Sequence, residues 1–337
     1  MKTGKYLVLL MVMAVFFAGG CKNGNFAGKY AIVMKAEGNS YNEQVVKGFE
    51  KVITDHGGSC IIAYPDTPTV EDQIIQVESL ISQKVDAIAI AANDVNGLQS
   101  ILTKAMAEGI RVSTLDSNTN ADSRQTFVNQ ADTSDIGAVL AQSVYDISGG
   151  AGQWAILSTT SLAANQNEWI DAMKETMAQP EFRELRLVDI AYGEDDYELS
   201  REKTFELLEK YPDLKVICAP TVKGVLAAAE VVEESGKGGQ IRVTGLGMPS
   251  EMADHIGADK ACPYMYLWNP EEVGALSAYV SLALVSGEIT GAAGERFSAG
   301  DMGSYTIQQC SDGGTEVIVG SPLKIDAGNI DKWREAF

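Results

Sequence analysis

The chain has 337 residues, 46 acidic side chains against 26 basic ones, and a formal net charge of −20. Such acidity excludes a nucleic-acid binder, which needs basic patches to displace counterions, and a body lying flat on an anionic membrane. A hydrophobic share of 45% is enough for a large core, and the length suggests about two domains.

The first element is a leader. Lys2 and Lys5 precede an apolar stretch from Tyr6 to Ala18, followed by Gly19-Gly20-Cys21. A basic start, a short apolar core and small residues mark a secretory signal peptide over 1–20. The stretch is too short to span a bilayer, which takes about 20 apolar residues. A cysteine directly after two glycines resembles a lipobox. Cys21 is therefore expected to carry lipid and to open the mature chain, with 21–27 as a polar tether. The alternative is an ordinary signal peptide with a chance cysteine. The other cysteines, Cys60, Cys218, Cys262 and Cys310, show no metal-type spacing. Cys60 and Cys218 lie in apolar, strand-like runs and read as buried thiols. A Cys262–Cys310 disulfide stays open outside the cytoplasm.

From residue 29 the pattern is regular. Tyr30 to Met34 reads as a buried strand, and Asn42 to His56 as a helix with Val45, Val46, Phe49, Val52 and Ile53 on one face. Gly57-Gly58 ends it. Ser59–Tyr64 is a strand, Thr69–Gln83 a helix, Asp86–Ala91 a strand and Asn96–Glu108 a helix. Arg111–Leu115 and Thr126–Val128 are strands, and Asp132–Gly149 is helical. The theme restarts with strand Gln153–Ser158, helix Asn165–Ala178, strand Leu185–Tyr192 and helix Tyr197–Tyr211. Strand Leu214–Ala219, helix Gly224–Ser235 and strand Arg242–Leu246 complete it. Strands alternating with helices imply an α/β fold with parallel sheets. Two such runs imply two Rossmann-like lobes, and no low-complexity linker separates them.

Such sheets bind ligands beyond the carboxyl ends of their strands. Polar residues collect there: Lys35 and Glu37 to Asn42 after the first strand, Asn93-Asp94 after the third, and Asp116-Ser117-Asn118 after the fourth. Asn129-Gln130 follows the fifth. The second half offers Asn165-Gln166-Asn167 and Pro220-Thr221, and later Tyr264 to Pro270.

These residues, in this order, resemble the type I periplasmic sugar-binding proteins of ABC importers, in the branch holding autoinducer-2-binding and rhamnose-binding proteins. The resemblance runs from about residue 29 to 337 and is carried by VMKAEGNSYNE, VSTLDSN, TFVNQAD, NQNEWI, ICAPT, VTGLGMPSEM and YLWNP. Each piece is weak alone; their order and spacing are specific. The resemblance implies two lobes joined by a three-crossing hinge: 28–130 with 266–297, and 131–265 with 298–337. The crossings would lie near Gln130, Met265 and Ala299. It implies ligand-binding roles for Lys35, Asp116, Asn165, Gln166, the main chain at Pro220 and Val222, and aromatic packing by Tyr41 and Trp268. Asn93, after the third strand, joins them as a candidate. The autoinducer-2 branch has an aspartate where this chain has Asn165. An amide both donates and accepts, whereas a carboxylate only accepts, so the preference among polyols can change.

Each assignment has a plainer reading. Lys35 and Asp116 could form a salt bridge between strand ends, and Asn165 could be a helix N-cap. Trp268 could be core, although Asn269-Pro270 beside it points to an exposed mouth. Tyr41 could be a surface residue and Asn93 a turn residue. The run Glu194-Asp195-Asp196 reads as a solvated loop, since it lacks EF-hand spacing. His56 and His255 have no triad neighbours among the motif-bearing loops, and no catalytic or phosphate-loop motif is present. The expected protein is thus not an enzyme and needs no cofactor or metal. It is a lipid-anchored, extracytoplasmic binding protein that hands a small polyol to an ABC permease. The expected ligand is autoinducer-2, with L-rhamnose or a similar sugar as the alternative. A receptor subunit for a sensor kinase or chemoreceptor would look the same.

Overall fold

The computed structural model describes residues 27–337; the leader, Cys21 and the tether up to residue 26 lie outside the described residues. The chain opens with β1 (Lys29–Val33), α1 (Ser40–Asp55), β2 (Ser59–Ala63), α2 (Val70–Ser82), β3 (Ala87–Ile90), α3 (Gln99–Ala107), β4 (Arg111–Leu115) and β5 (Thr126–Ala131). It continues with α4 (Thr133–Ser148), β6 (Gly152–Ser158), α5 (Ala164–Met177), β7 (Leu185–Tyr192), α6 (Tyr197–Lys210), β8 (Leu214–Ala219), α7 (Val222–Glu234) and β9 (Arg242–Gly245). The remainder holds α8 (Pro249–Met252), β10 (Tyr264–Leu267), α9 (Pro270–Ser286), β11 (Arg296–Ser298), β12 (Ser304–Thr306), β13 (Gln308–Gln309), β14 (Thr315–Gly320), β15 (Leu323–Asp326) and α10 (Ile330–Arg334).

Two sheets form the lobes. The first has the order β13-β14-β5-β4-β3-β1-β2 and is parallel except for β13; the second, β7-β6-β8-β9, is parallel throughout. Parallel strands buried on both faces read as continuous apolar runs, and β1 shows why. Tyr30 and Ile32 enter one core with α1, while Ala31 and Val33 enter a second with α2 and α3. Side chains two residues apart share a face. Helix α9 covers the α1 side of the first sheet, against β3, β4 and β5.

The chain crosses between lobes after β5, again around β10, and a third time between β14 and β15. Strand β14 pairs with β5 in the first sheet, β15 pairs with β10, and α10 packs on α8. The residues 315–320, expected in the second lobe, therefore belong to the first sheet. Ala299 is not at a crossing: it sits in the hairpin of β11 and β12, where its N–H donates to the Gly303 carbonyl at 2.7 Å. Cys60, Cys218, Cys262 and Cys310 are all free thiols, so no Cys262–Cys310 disulfide forms. Burial pushes the Cys218 thiol up to about 12. Among the described residues no helix is long and apolar enough to cross a membrane.

Helices α1 and α9 meet backbone to backbone. A Cβ added at Gly274 would lie 1.8 Å from the Val45 carbonyl oxygen, and one at Gly48 would lie 2.0 Å from that of Glu271. Neither oxygen can move without shifting its helix. Gly274→Ala is expected to lower stability by about 2 kcal/mol or more. The measurement is a urea titration, where the midpoint should fall at unchanged slope; an unchanged midpoint would show that the two helices part freely.

Candidate functional site

The two lobes face each other across the carboxyl ends of their strands, and the site is built from the loops there. Asp116 ends β4 in a left-handed conformation, φ 58°, which residues other than glycine rarely adopt. The turn is closed by the Ser117 N–H donating to the Leu115 carbonyl at 2.5 Å, and it aims the buried Asp116 carboxylate into the cleft. Lys35, just past β1, reaches it with Nζ 3.4 Å from Oδ2. The salt-bridge reading of this pair is therefore met, but the pair does not stand alone.

Asn165 joins both from the second lobe. Its Oδ1 lies 3.5 Å from Lys35 Nζ, and its Nδ2 lies 3.5 Å from both the carboxylate Oδ2 and the main-chain oxygen of Asp116. An amide suits this place because one end accepts from the lysine while the other donates to the carboxylate. Asn165 is not a helix N-cap. Helix α5 starts one residue earlier, and its cap position, Ala163, makes no side-chain cap bond.

Aromatic rings wall the same cleft. Tyr41 and Trp268 are both buried and packed edge to face, centroids 6.3 Å apart. Trp169 of α5 meets Trp268 at 5.6 Å. The Trp268 Nε1–H donates to the Tyr41 hydroxyl oxygen at 2.7 Å, leaving the tyrosine hydrogen for neighbouring Asp116. Burial, and then the Asp116 charge, hold the Tyr41 phenol well above its ordinary pKa. Tyr41 is thus no surface residue and Trp268 no exposed mouth. Asn269-Pro270 supplies a helix start instead: the Asn269 side chain caps α9 by accepting from the N–H groups of Glu271 and Glu272, with Pro270 in the first turn.

Other expected residues stand behind the site. Asn93 donates from Nδ2 to the Lys35 carbonyl at 3.2 Å, and its own N–H donates to Gln73 Oε1 at 2.9 Å. It fixes the Lys35 backbone. Gln166 accepts from the Ser158 hydroxyl at 2.6 Å and the Thr159 N–H at 3.0 Å, so it braces its own lobe. Pro220 is buried and Val222 opens α7 at the carboxyl end of β8. Two cleft residues escaped the sequence reading. Asp195, assigned to a solvated loop, is partly buried and accepts from Asn39 Nδ2 of the opposite lobe at 3.4 Å. Trp169 stands within NQNEWI but was not singled out. Ser40 also crosses the cleft, donating its hydroxyl to Glu251 of α8.

Among the described residues no group of three His, Cys, Asp or Glu side chains is placed to hold a metal ion. In Lys35, Asp116 and Asn165 the cleft offers a cation, a carboxylate and an amide from opposing lobes, beside indole faces. That arrangement satisfies hydroxyl groups along an edge and packs against apolar ring faces. The periplasmic binding protein domain matches residues 30–289. This chain belongs to that family. As a periplasmic binding protein it has a 48% identical counterpart in the crystal structure of an ABC transporter solute-binding protein from Clostridium phytofermentas with bound L-rhamnose. That likeness covers 92% of this chain and 99% of that one, with a TM-score of 0.91. A curated D-ribose/D-allose-binding protein of Pseudomonas aeruginosa is 25% identical over 229 residues, 64% of this chain and 70% of its own length. LsrB from Clostridium saccharobutylicum in complex with AI-2 superposes with a TM-score of 0.83 over 90% of this chain and 99% of its own; its 19% identity shows shared fold alone. This periplasmic binding protein is a sugar-binding component of an ABC transporter, acts outside the cytoplasm and is not an enzyme.

Proposed function

We propose that this protein captures L-rhamnose and delivers it to an ABC permease. The observation that carries the reading is the 48% identity, over nearly the full length of both chains, to a protein crystallised with L-rhamnose. The same comparison favours rhamnose over autoinducer-2, because the AI-2-bound counterpart shares only 19% of its residues with this chain. Lys35, Asp116 and Asn165 hold sugar hydroxyls in this reading, Tyr41, Trp169 and Trp268 pack against the ring and its methyl group, and Asn93 and Gln166 position the loops. Pro220 and Val222 contribute main-chain contacts. The lobes swing on the three crossings. Sugar bridging both lobes binds the closed form better and shifts the population toward it. The leader ending at Cys21 supports tethering by lipid at the cell envelope.

A thermal-unfolding panel tests this. Ligand present at about a thousand times its Kd stabilises the folded state by about 4 kcal/mol. L-rhamnose is expected to raise the melting temperature by several degrees, and D-ribose, D-allose and autoinducer-2 by less. A larger shift with autoinducer-2 would reverse the ligand order.

A further inference from the structure

Asp195 follows β7 in a loop folded back onto the end of β6. Glu194 and Asp195 both take left-handed backbone, φ 51° and 52°, a conformation that side chains with a Cβ rarely hold in succession. The loop is tied down on both sides of Asp195, through the N–H groups of Gly193, Glu194 and Asp196. The Gly193 N–H donates to the Ser158 carbonyl at 2.9 Å, the Glu194 N–H to that of Thr159 at 2.9 Å, and the Asp196 N–H to that of Gly193 at 2.8 Å. Gln166 grips Ser158 and Thr159 from the other side. Strain held this firmly aims the Asp195 carboxylate across the cleft at Asn39.

Asn39 is equally constrained. Its Oδ1 caps α1 by accepting from the N–H groups of Tyr41 and Asn42 at 3.0 and 3.4 Å. The Nδ2 is thereby left to face the second lobe. Around Asp195 stand Lys35 and Asp116 from the first lobe, Lys223 from the first turn of α7, and Glu194 and Asp196 in its own loop. We propose that Asp195 and Asn39 form a cross-cleft latch, and that closing the latch takes up a proton at Asp195.

The direction follows from burial. Removal from water raises the Asp195 pKa in the closed form and outweighs the opposing pull of Lys223, Lys35 and the Asn39 bond, while Asp116 adds to the rise. In an open cleft the carboxyl returns to water and titrates as an ordinary exposed carboxylate. A group whose pKa rises on closing favours the closed form fully below the open-state value. That advantage is lost as pH climbs through the closed-state value. Sugar affinity, which requires closure, therefore rises on acidification. Glu168 on α5, an exposed residue whose carboxyl is also pushed up by partial desolvation and by Asp312 and Glu316 against the pull of Arg124, is common to wild type and Asp195→Asn and so does not distinguish them.

The test is calorimetric titration of the purified protein with L-rhamnose at pH 7.5, 6.0 and 4.5, for wild type, Asp195→Asn and Asn39→Asp. The affinity arm rests on the proposed sugar; small-angle scattering of the sugar-free protein across the same pH range does not. Wild-type affinity is expected to rise several-fold toward pH 4.5. Asp195→Asn keeps the acceptor for Asn39, so it should bind at least as tightly as wild type at pH 7.5 and show a flatter profile. Asn39→Asp keeps the helix cap but sets two carboxylates face to face, so it should bind more weakly at pH 7.5 and recover in acid. Equal pH slopes in wild type and Asp195→Asn would overturn the proposal. So would a tenfold loss in Asp195→Asn at every pH, which would make Asp195 a sugar contact. If wild type takes up no L-rhamnose, the ligand reading fails by itself and scattering decides on the latch. A closed fraction growing in acid in wild type but not in Asp195→Asn supports it, and identical curves overturn it.

Discussion

Asp116→Ala is expected to weaken sugar binding by about 100-fold or more. The carboxylate is buried and is the one group that meets both Lys35 and Asn165. A hydrogen bond to a charged group contributes about 1.5–3 kcal/mol, and each 1.4 kcal/mol is about a factor of ten. Losing one such bond to sugar already costs about tenfold. Alanine also leaves the Lys35 ammonium in the cleft without its counter-charge and Asn165 without its acceptor, so closure itself is penalised. Calorimetry with L-rhamnose reads the effect, with circular dichroism to show that the variant folds. A change under threefold would remove Asp116 from the binding site.

Asn165→Asp should be nearly as damaging, though it restores the residue type of the autoinducer-2 branch. The Asn165 amide nitrogen lies 3.5 Å from the Asp116 carboxylate. An aspartate there cannot donate and places like charges at that separation, a repulsion of about 5 kcal/mol at the effective dielectric of a protein surface. Lys35, 3.5 Å from the Asn165 side-chain oxygen, offsets most of it. A net loss of about tenfold in rhamnose affinity at neutral pH is expected, with partial recovery in acid as the carboxylate pair shares a proton. Wild-type affinity in Asn165→Asp would mean that the amide does not bridge the lobes in the bound state.

Much of the fold was legible because parallel strands with covering helices write themselves as apolar runs and one-sided faces. Strand Leu185–Tyr192 is read residue for residue, and α1, α2 and α4 differ from their expected bounds by one or two residues at each end. The chain after Pro270 was not legible. Helix α9 is buried along most of its length against both α1 and the sheet, which erases its polar face. The strands after it are short and mostly antiparallel, and β14 returns to the first sheet over a long sequence separation. That return misled the placement of the third crossing.

The candidate site was legible where a polar residue follows a strand, as Lys35 and Asp116 do, or opens the next helix, as Asn165 does in α5; the three come together from distant segments. Asp195 escaped because an acidic run reads as solvated, and left-handed backbone at a residue other than glycine leaves no trace in sequence. Trp169 escaped because an indole on a helix face is usually core. Gln166 and Asn93 were found for their position, but their side chains hold loops in place.

The most direct test of the central claim is one calorimetric titration of the wild-type protein with L-rhamnose at neutral pH. Single-site binding with a Kd in the micromolar range or tighter is the predicted result, and it should collapse in Asp116→Ala. No heat with rhamnose, alongside tight binding of autoinducer-2 or another sugar, would contradict it.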